Sequence, residues 1–134
     1  MRTPTSGLVL YAKDHHKLAE FYVALLQLQV LELDDEFICL GSDTFELTIL
    51  QAPTEITQSI TISSPPHKRE DTALKPVFFV ERMKKVRELA RRTGGSVNPA
   101  SQAWRFRNHI VCDGFDPEGN VFQLRSPADM DLAQ

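Results

Sequence analysis

Basic and amide side chains alternate along two stretches in the C-terminal third of the chain. Arg105, Arg107 and His109 are two residues apart, and Gln123 is two residues before Arg125. Because side chains on a β-strand alternate between its two faces, each set would share one face of a sheet. Arginine guanidinium groups bind carboxylate or phosphate through two parallel hydrogen bonds. This spacing therefore predicts a sheet face that binds a small anion.

Proton-transfer chemistry would need an acid and a base placed together. Glu46 with His109 or Tyr11 is the one such pair that the pattern offers, and it depends on strand alternation alone. A histidine on a strand is more often an ordinary strand residue than a general base. Trp104 fits either a ligand-stacking surface or a core position. The sequence therefore assigns no catalytic residue.

The composition is typical of a soluble globular domain, with 42% hydrophobic and 25% charged residues among 134. The formal net charge of −3 gives no reason to expect nucleic acid or a membrane surface as a partner. No run approaches the ~20 apolar residues of a membrane span. Cys39 and Cys112 lie in apolar, strand-like runs, which indicates small core residues. We expect a cytoplasmic protein.

Residues 7–51 fit one βαβββ unit. The apolar run "GLVLYA" predicts a strand, and Asp14 stands at the N-cap position of a helix. The apolar stripe of that helix consists of Leu18, Phe21, Tyr22, Leu25 and Leu26. His15 and His16 follow the cap, and we expect both on the surface. Strand-like runs follow at about 28–33, 36–41 and 45–51.

Residues 75–127 repeat this order, with "KPVFFV" as the strand and 81–92 as the helix, which Gly94-Gly95 ends. Strand-like runs follow at about 96–98, 104–112 and 120–125. On the middle run, alternation predicts a buried face of Phe106, Ile110 and Cys112. The other face would carry Arg105, Arg107, His109 and Val111.

The fold class is therefore α+β, a single domain of two βαβββ modules joined by residues 52–74. This joining segment is polar and proline-containing, which fits a mobile lid or a linker. Because neither module can cover its apolar sheet alone, we expect the two to pack together or across a homodimer.

These modules resemble the vicinal oxygen chelate superfamily. The motifs that carry the resemblance are "YAKD…AEFYVALL" in the first module, and "FFVERMKKVRELARRTGGSV" and "DPEGNVFQL" in the second. The superfamily includes glyoxalase I, extradiol dioxygenases, fosfomycin-resistance proteins and bleomycin-resistance proteins. The resemblance covers about residues 7–127 and implies two sheets that curve into a cup, with helices outside.

The resemblance also implies four metal-ligand positions, at Gly7, Glu46, Lys75 and Gln123, where the pattern asks for His, Glu, His and Glu. Only Glu46 fits. Gly7 has no side chain, the Lys75 ammonium repels a cation, and Gln123 offers one weak carbonyl oxygen. We therefore expect no metal and no other cofactor.

On the same mapping the cup would hold the polar residues Glu46, Lys75, Arg107, His109, Gln123 and Arg125. Tyr11, Val77 and Phe79 would form its apolar and aromatic wall. We expect Lys75 to pair with Glu46, because a buried carboxylate without a partner is costly. That pair could equally be a structural salt bridge without a ligand role. Likewise, the two arginines could lie at a solvated sheet edge or a dimer rim.

Three classes of function stay open. The first is a metal-free binding protein for a small anionic molecule, like the bleomycin-resistance branch, acting as a homodimer. The second is a lyase, isomerase or oxidoreductase of the glyoxalase and dioxygenase type with a relocated or lost metal. The third is an interaction module without a pocket. The basic cup favours the first over the third, and the missing ligands weigh against the second.

Overall fold

The structure is a computed structural model that describes residues 3–59, 61–63 and 66–131, without the side chains of residues 130 and 131. The chain divides into two units, Met1–Ser63 and Ser64–Gln134, and each is described by itself. Within the described ranges, no helix has both the length and the apolar character needed to cross a bilayer.

The first unit has the expected βαβββ order. Its elements are β1 (Ser6–Ala12), α1 (His15–Leu26), β2 (Gln29–Leu33), β3 (Phe37–Gly41), β4 (Phe45–Gln51) and the short helix α2 (Thr54–Thr57). The strands form one sheet in the order β1-β4-β3-β2, with β1 parallel to β4 and the other pairs antiparallel. A register shift between Val30 and Glu32 marks a bulge in the edge strand β2.

The core of the first unit lies between α1 and one face of its sheet. Four residues of the predicted helix stripe are buried and Leu26 is half-buried; Leu18 and Phe21 are fully inaccessible to solvent. The Asp14 side chain caps α1 by accepting a hydrogen bond from the backbone N–H of Lys17 at 3.2 Å. The helix ends at Gln27, whose φ of 54° lies in the left-handed region.

His15 is buried, which corrects the expectation that it lies on the surface. Its backbone N–H donates to Gln51 Oε1 at 3.1 Å, and its ring Nδ1 lies 2.8 Å from the same oxygen. Because Oε1 only accepts, Nδ1 must be the donor. Gln51 Nε2 in turn donates to the Lys13 carbonyl at 2.6 Å. The helix start is therefore tied to the end of β4, a contact between distant residues that no local pattern encodes.

The second unit repeats the module and adds a 3-10 turn, a further strand and a short C-terminal helix. Its elements are β5 (Val77–Phe79), α3 (Met83–Arg92), β6 (Ser96–Val97), a 3-10 turn (Ala100–Gln102), β7 (Trp104–Phe106), β8 (His109–Phe115), β9 (Val121–Pro127) and α4 (Ala128–Asp131). The sheet order is β5-β9-β8-β6, and β7 also pairs with β8. Gly94, with a φ of 96°, follows the end of α3 as expected.

The predicted strand over 104–112 is wrong, because the chain turns back at Arg107 and Asn108. Arg107 has a φ of 56°, and Phe106 pairs directly with His109 across the resulting hairpin. Because the turn takes up two residues, each residue of β7 lies on the sheet face opposite to the one that unbroken alternation predicts. Phe106 therefore shares a face with His109, and Arg105 lies on the opposite face with Ile110.

The "DPEGN" motif forms a tight turn around a fully buried Asp116. Its Oδ1 accepts hydrogen bonds from the backbone N–H groups of Glu118 at 2.9 Å and Asn120 at 3.0 Å, and its Oδ2 accepts from Asn120 Nδ2 at 2.9 Å. This turn delivers the chain into β9 at a fixed register.

The last part of the joining segment lies against this turn. Arg69 donates its backbone N–H to the Gly119 carbonyl at 2.8 Å, and its Nε donates to the Glu118 carbonyl at 3.2 Å. Gly119 has a φ of 85°, and a Cβ there would collide with the His67 carbonyl oxygen. Only glycine therefore allows this close approach of two backbones.

Candidate ligand-binding site

One face of the sheet in the second unit is turned away from α3, and we name it the Arg125 face. Directly paired residues on neighbouring strands share a face. Val77 pairs with Gln123, Phe79 and Val111 both pair with Arg125, and Asp113 pairs with Gln123. Across the hairpin, Trp104 pairs with Val111. The Arg125 face therefore includes Val77, Phe79, Trp104, Phe106, His109, Val111, Asp113, Gln123 and Arg125.

Four side chains on this face form a continuous polar chain. Lys75 Nζ donates to Asp113 Oδ2 at 3.0 Å, and Gln123 Nε2 donates to Asp113 Oδ1 at 3.3 Å. Arg125 Nε donates to Gln123 Oε1 at 2.9 Å. The Asp113 carboxylate can only accept and the Arg125 guanidinium can only donate, so the NH2 group of the Gln123 amide faces Asp113 and its oxygen faces Arg125. Gln123 thus links the Asp113 carboxylate to the Arg125 guanidinium.

The Arg125 guanidinium lies among aromatic rings. Its central carbon is 5.0 Å from the centre of the Phe106 ring and 5.9 Å from that of Phe79. Both distances are within the range of cation–π attraction. His109 meets Phe79 edge to face, with ring centres 5.2 Å apart. Packing and the bond to Gln123 therefore both hold the half-buried Arg125 in place.

The charges on the Arg125 face leave one cation in excess. Lys75 and Asp113 form an ion pair, with 44% and 29% of their side chains exposed. In the part of the chain that the structure describes, Arg125 has no carboxylate partner and no acceptor for its Nη atoms. The terminal edge of its guanidinium is therefore available to an external acceptor.

The sequence-predicted site residues of the second unit come together in part. Lys75, Phe79, His109, Gln123 and Arg125 lie on or reach the Arg125 face. Arg107 is in the exposed hairpin turn, so strand alternation does not direct it to this face, contrary to the expectation. The partner of Lys75 is Asp113, which corrects the expected partner, Glu46.

Tyr11 and Glu46 lie on the open face of the first unit's sheet, together with Gly7, Val9, Cys39 and Thr48. Gly7 pairs with Glu46, and Tyr11 is four residues further along β1. At ~3.3 Å per residue this separates Tyr11 from Glu46 by about 13 Å along the strand. The two side chains are therefore too far apart to act as a direct acid–base pair.

Cys39 is the close neighbour of Glu46. Burial and a hydrogen bond to the Glu46 carboxylate raise the pKa of the Cys39 thiol. The Thr48 hydroxyl, 3.8 Å from the sulfur, acts weakly in the opposite direction. A thiol in this state stays protonated at neutral pH, so it is a poor nucleophile and a poor metal ligand.

The family model of the Glyoxalase-like domain matches residues 7–125. The chain belongs to the Glyoxalase-like domain family, within the vicinal oxygen chelate superfamily. No curated protein matches the chain.

Solved structures share the glyoxalase-like fold along nearly the whole chain. A glyoxalase/bleomycin resistance protein/dioxygenase family enzyme from Burkholderia phytofirmans PsJN is 16% identical, with a TM-score of 0.68, over 93% of this chain and 99% of that one. The fosfomycin resistance protein FosX from Listeria monocytogenes is 15% identical, with a TM-score of 0.64, over 94% and 92%. A glyoxalase/bleomycin resistance protein from Albidiferax ferrireducens T118 is 16% identical, with a TM-score of 0.63, over 90% and 96%. At these identities the likeness is one of fold.

The four positions that the superfamily uses for a metal do not fit one in this glyoxalase-like chain. A Cβ at Gly7 would lie 2.9 Å from the Glu46 carbonyl oxygen, so even a small side chain there is obstructed. The Lys75 ammonium is bonded to Asp113, and both ends of the Gln123 amide are bonded to protein groups. Among the described residues, no three His, Cys, Asp or Glu side chains are grouped to hold a metal ion.

Two residues on the Arg125 face escaped the sequence reasoning. Asp113 lies one residue beyond the predicted end of its strand, so the predicted alternation does not include it. The predicted buried position of Phe106 is wrong because a turn at Arg107 and Asn108 separates it from Ile110 and Cys112. Asn108, a residue that favours turns, was the available signal. A two-residue turn there would have placed Phe106 opposite His109.

Proposed function

We propose that this glyoxalase-like protein binds a small anionic molecule on the Arg125 face, without a metal ion at the superfamily's ligand positions. The observation that carries the proposal is the state of Arg125. Its Nε is bonded to Gln123 Oε1 at 2.9 Å, and its Nη atoms have no acceptor among the described residues. A guanidinium in this state offers the two-point edge that a carboxylate or phosphate accepts.

The surroundings of Arg125 strengthen the attraction for an anion. The guanidinium is half-buried beside the Phe106 and Phe79 rings, where it is screened less than in open water. A partly desolvated cation without an anionic partner is costly, and a bound anion would offset that cost. The neighbouring charges of Lys75 and Asp113 largely cancel, so the excess positive charge is centred on Arg125.

Binding is better supported than catalysis. Of the acid–base pairs predicted from the sequence, Glu46 with Tyr11 lies within a single sheet, and these two residues are about 13 Å apart along the strand. Glu46 is adjacent to a protonated Cys39 thiol, which would not serve as a nucleophile. An enzyme of the glyoxalase or dioxygenase type is the alternative, and it would need a catalytic group other than these.

A titration of small carboxylates and inorganic phosphate against three proteins tests the proposal. These are the wild type, Arg125→Gln and Arg105→Gln, with calorimetry as the readout. A charge-assisted hydrogen bond contributes roughly 1.5–3 kcal/mol, so Arg125→Gln should weaken binding of an anion by about 10- to 100-fold. Arg105→Gln is the matched control, because Arg105 is on the same hairpin but on the opposite face.

Two results would contradict the proposal. The first is that no carboxylate or phosphate binds to the folded wild type. The second is that Arg125→Gln binds the anion as well as the wild type does. The metal-free part has its own test, since elemental analysis of the purified protein should find far less than one zinc, nickel, iron or manganese per chain.

A further inference from the structure

We infer that the ligand of the Arg125 face is a monocarboxylate with a flat aromatic body. This inference rests on the proposed function and makes it more specific. It follows from what surrounds the guanidinium on the same face: an aromatic surface on either side, and a charge that one carboxylate would balance.

The aromatic surface follows from the sheet register. Trp104 pairs with Val111, Val111 with Arg125, and Arg125 with Phe79, so these four residues form one row across four strands. Neighbouring strands are ~4.8 Å apart, so Trp104 and Arg125 are separated by about 10 Å across the sheet. A one- or two-ring acid could place its carboxylate at Arg125 and its ring toward Trp104.

The rings of this row are accessible. Trp104 is 42% exposed and Phe79 is 64% exposed, and Phe106, in the next row, is 46% exposed. Large apolar side chains exposed together on one sheet face commonly mark a binding surface. A flat, apolar ligand body would cover them, and a hydrated inorganic ion would not.

The charge of the face favours a monoanion over a dianion. After the Lys75–Asp113 pair is subtracted, Arg125 is the one unbalanced cation among the charged side chains described on this face. A phosphate monoester carries a charge of about −1.5 to −2 at pH 7, and the Asp113 carboxylate would repel the surplus. A carboxylate balances Arg125 one to one and matches its planar edge.

The test compares two acids that differ in flatness and aromaticity. Benzoate and cyclohexanecarboxylate carry the same anionic group on a six-membered ring, but only the first ring is planar and aromatic. Each aromatic pairing contributes about 2- to 10-fold in affinity beyond its buried area. We therefore expect benzoate to bind at least that much more tightly than cyclohexanecarboxylate, and more tightly than inorganic phosphate, by calorimetry.

Trp104 provides a second, site-specific readout because it is the sole tryptophan of the chain. Benzoate should change its fluorescence at saturating levels, with the same midpoint as the calorimetric titration. Trp104→Leu keeps an apolar side chain but removes the ring. In that variant the preference for benzoate over cyclohexanecarboxylate should fall, and binding of cyclohexanecarboxylate should stay unchanged. Circular dichroism of the variant checks that it folds.

The outcomes separate this inference from the proposed function. If both acids bind equally and both depend on Arg125, the aromatic inference is overturned and the anion site stands. If phosphate binds most tightly and depends on Arg125, the same conclusion follows. If no anion binds, both the proposed function and this inference are wrong.

Discussion

The Oε1 atom of Gln123 accepts a hydrogen bond from Nε of Arg125 at 2.9 Å. These residues are two apart on β9, on the same face, so the amide lies beside the guanidinium that it orients. In the superfamily pattern a glutamate at this position would hold a metal ion. In this chain the position carries a neutral acceptor, which leaves the positive charge of Arg125 undiminished.

The charge of residue 123 should therefore decide anion affinity. Gln123→Glu would place a carboxylate between Arg125 and Asp113, where it neutralises the first and repels the second. We expect it to weaken binding of benzoate or phosphate by more than 10-fold. Gln123→Ala removes the hydrogen bonds that Gln123 makes with Arg125 and Asp113 but leaves the charge of the site unchanged, so we expect a smaller loss of about 5-fold, near 1 kcal/mol. Calorimetry measures the anion affinity of both variants, and equal losses of affinity would contradict a controlling role for the charge of residue 123.

Asp113→Asn should raise anion affinity with little loss of stability. The substitution removes the negative charge beside Arg125 and releases the Lys75 ammonium, while an amide oxygen can still accept from Gln123. Because the pair with Lys75 is substantially exposed, its loss should lower the free energy of unfolding by only about 0–1 kcal/mol. Binding isotherms and urea denaturation measure the two quantities. Weaker anion binding in a folded variant would count against the charge argument.

Cys39 should react slowly with alkylating reagents. Its pKa is raised by burial and by the hydrogen bond to Glu46, so a smaller fraction is thiolate at any given pH. The pH profile of iodoacetamide modification should therefore have a midpoint above that of a free cysteine.

Glu46→Gln offers the matched comparison for this thiol. Removing the carboxylate charge lowers the Cys39 pKa, so modification at pH 8 should speed up.

The raised pKa of Cys39 also affects the stability of the fold, and the effect has a definite sign. A thiol whose folded pKa is raised stabilises the fold fully below its unfolded pKa, and the contribution is lost as pH rises through the folded pKa. Mass spectrometry of a Cys112→Ala background confines the readout to Cys39, and an unchanged rate in Glu46→Gln would refute the assignment.

We expect the protein to be a homodimer. The open face of the first sheet exposes large apolar side chains, such as Tyr11 at 71% and Val9 at 51%. Association of two chains is a common way to cover such faces. Light scattering at tens of micromolar should give twice the chain mass, and a monomer at that concentration would contradict the expectation.

The elements that the sequence predicted best are those with a long apolar period. The α1 stripe from Leu18 to Leu26 and the Asp14 cap both have local signals, because they depend on residues three or four apart. The hairpin at Arg107 and Asn108 has no Gly and no strong turn dipeptide. The apolar residues on both sides of it made the run look continuous.

Contacts between residues far apart in sequence were harder to foresee, both in the candidate site and elsewhere in the fold. Lys75 with Asp113, and His15 with Gln51, are separated by 38 and 36 residues. Alternation assigns a face to each residue but does not say which side chains along that face will touch. The sequence therefore predicted Gln123 and Arg125 as neighbours, and it missed the partner of Lys75.

The attachment of Arg69 to the turn before β9 determines the N-terminal boundary of the second module, if that module is to be transferred between proteins. Arg69 is bonded to Glu118 and Gly119, and the His67 carbonyl lies against Gly119, so this part of the joining segment belongs structurally to the module whose first strand starts at Val77. A chimera that swaps this module between related proteins should be cut before residue 66. A junction placed just ahead of β5 would put a foreign segment against the turn before β9, which packs tightly on the backbone of His67 and Arg69. A poor fit there would displace the turn, and with it β9 and Arg125.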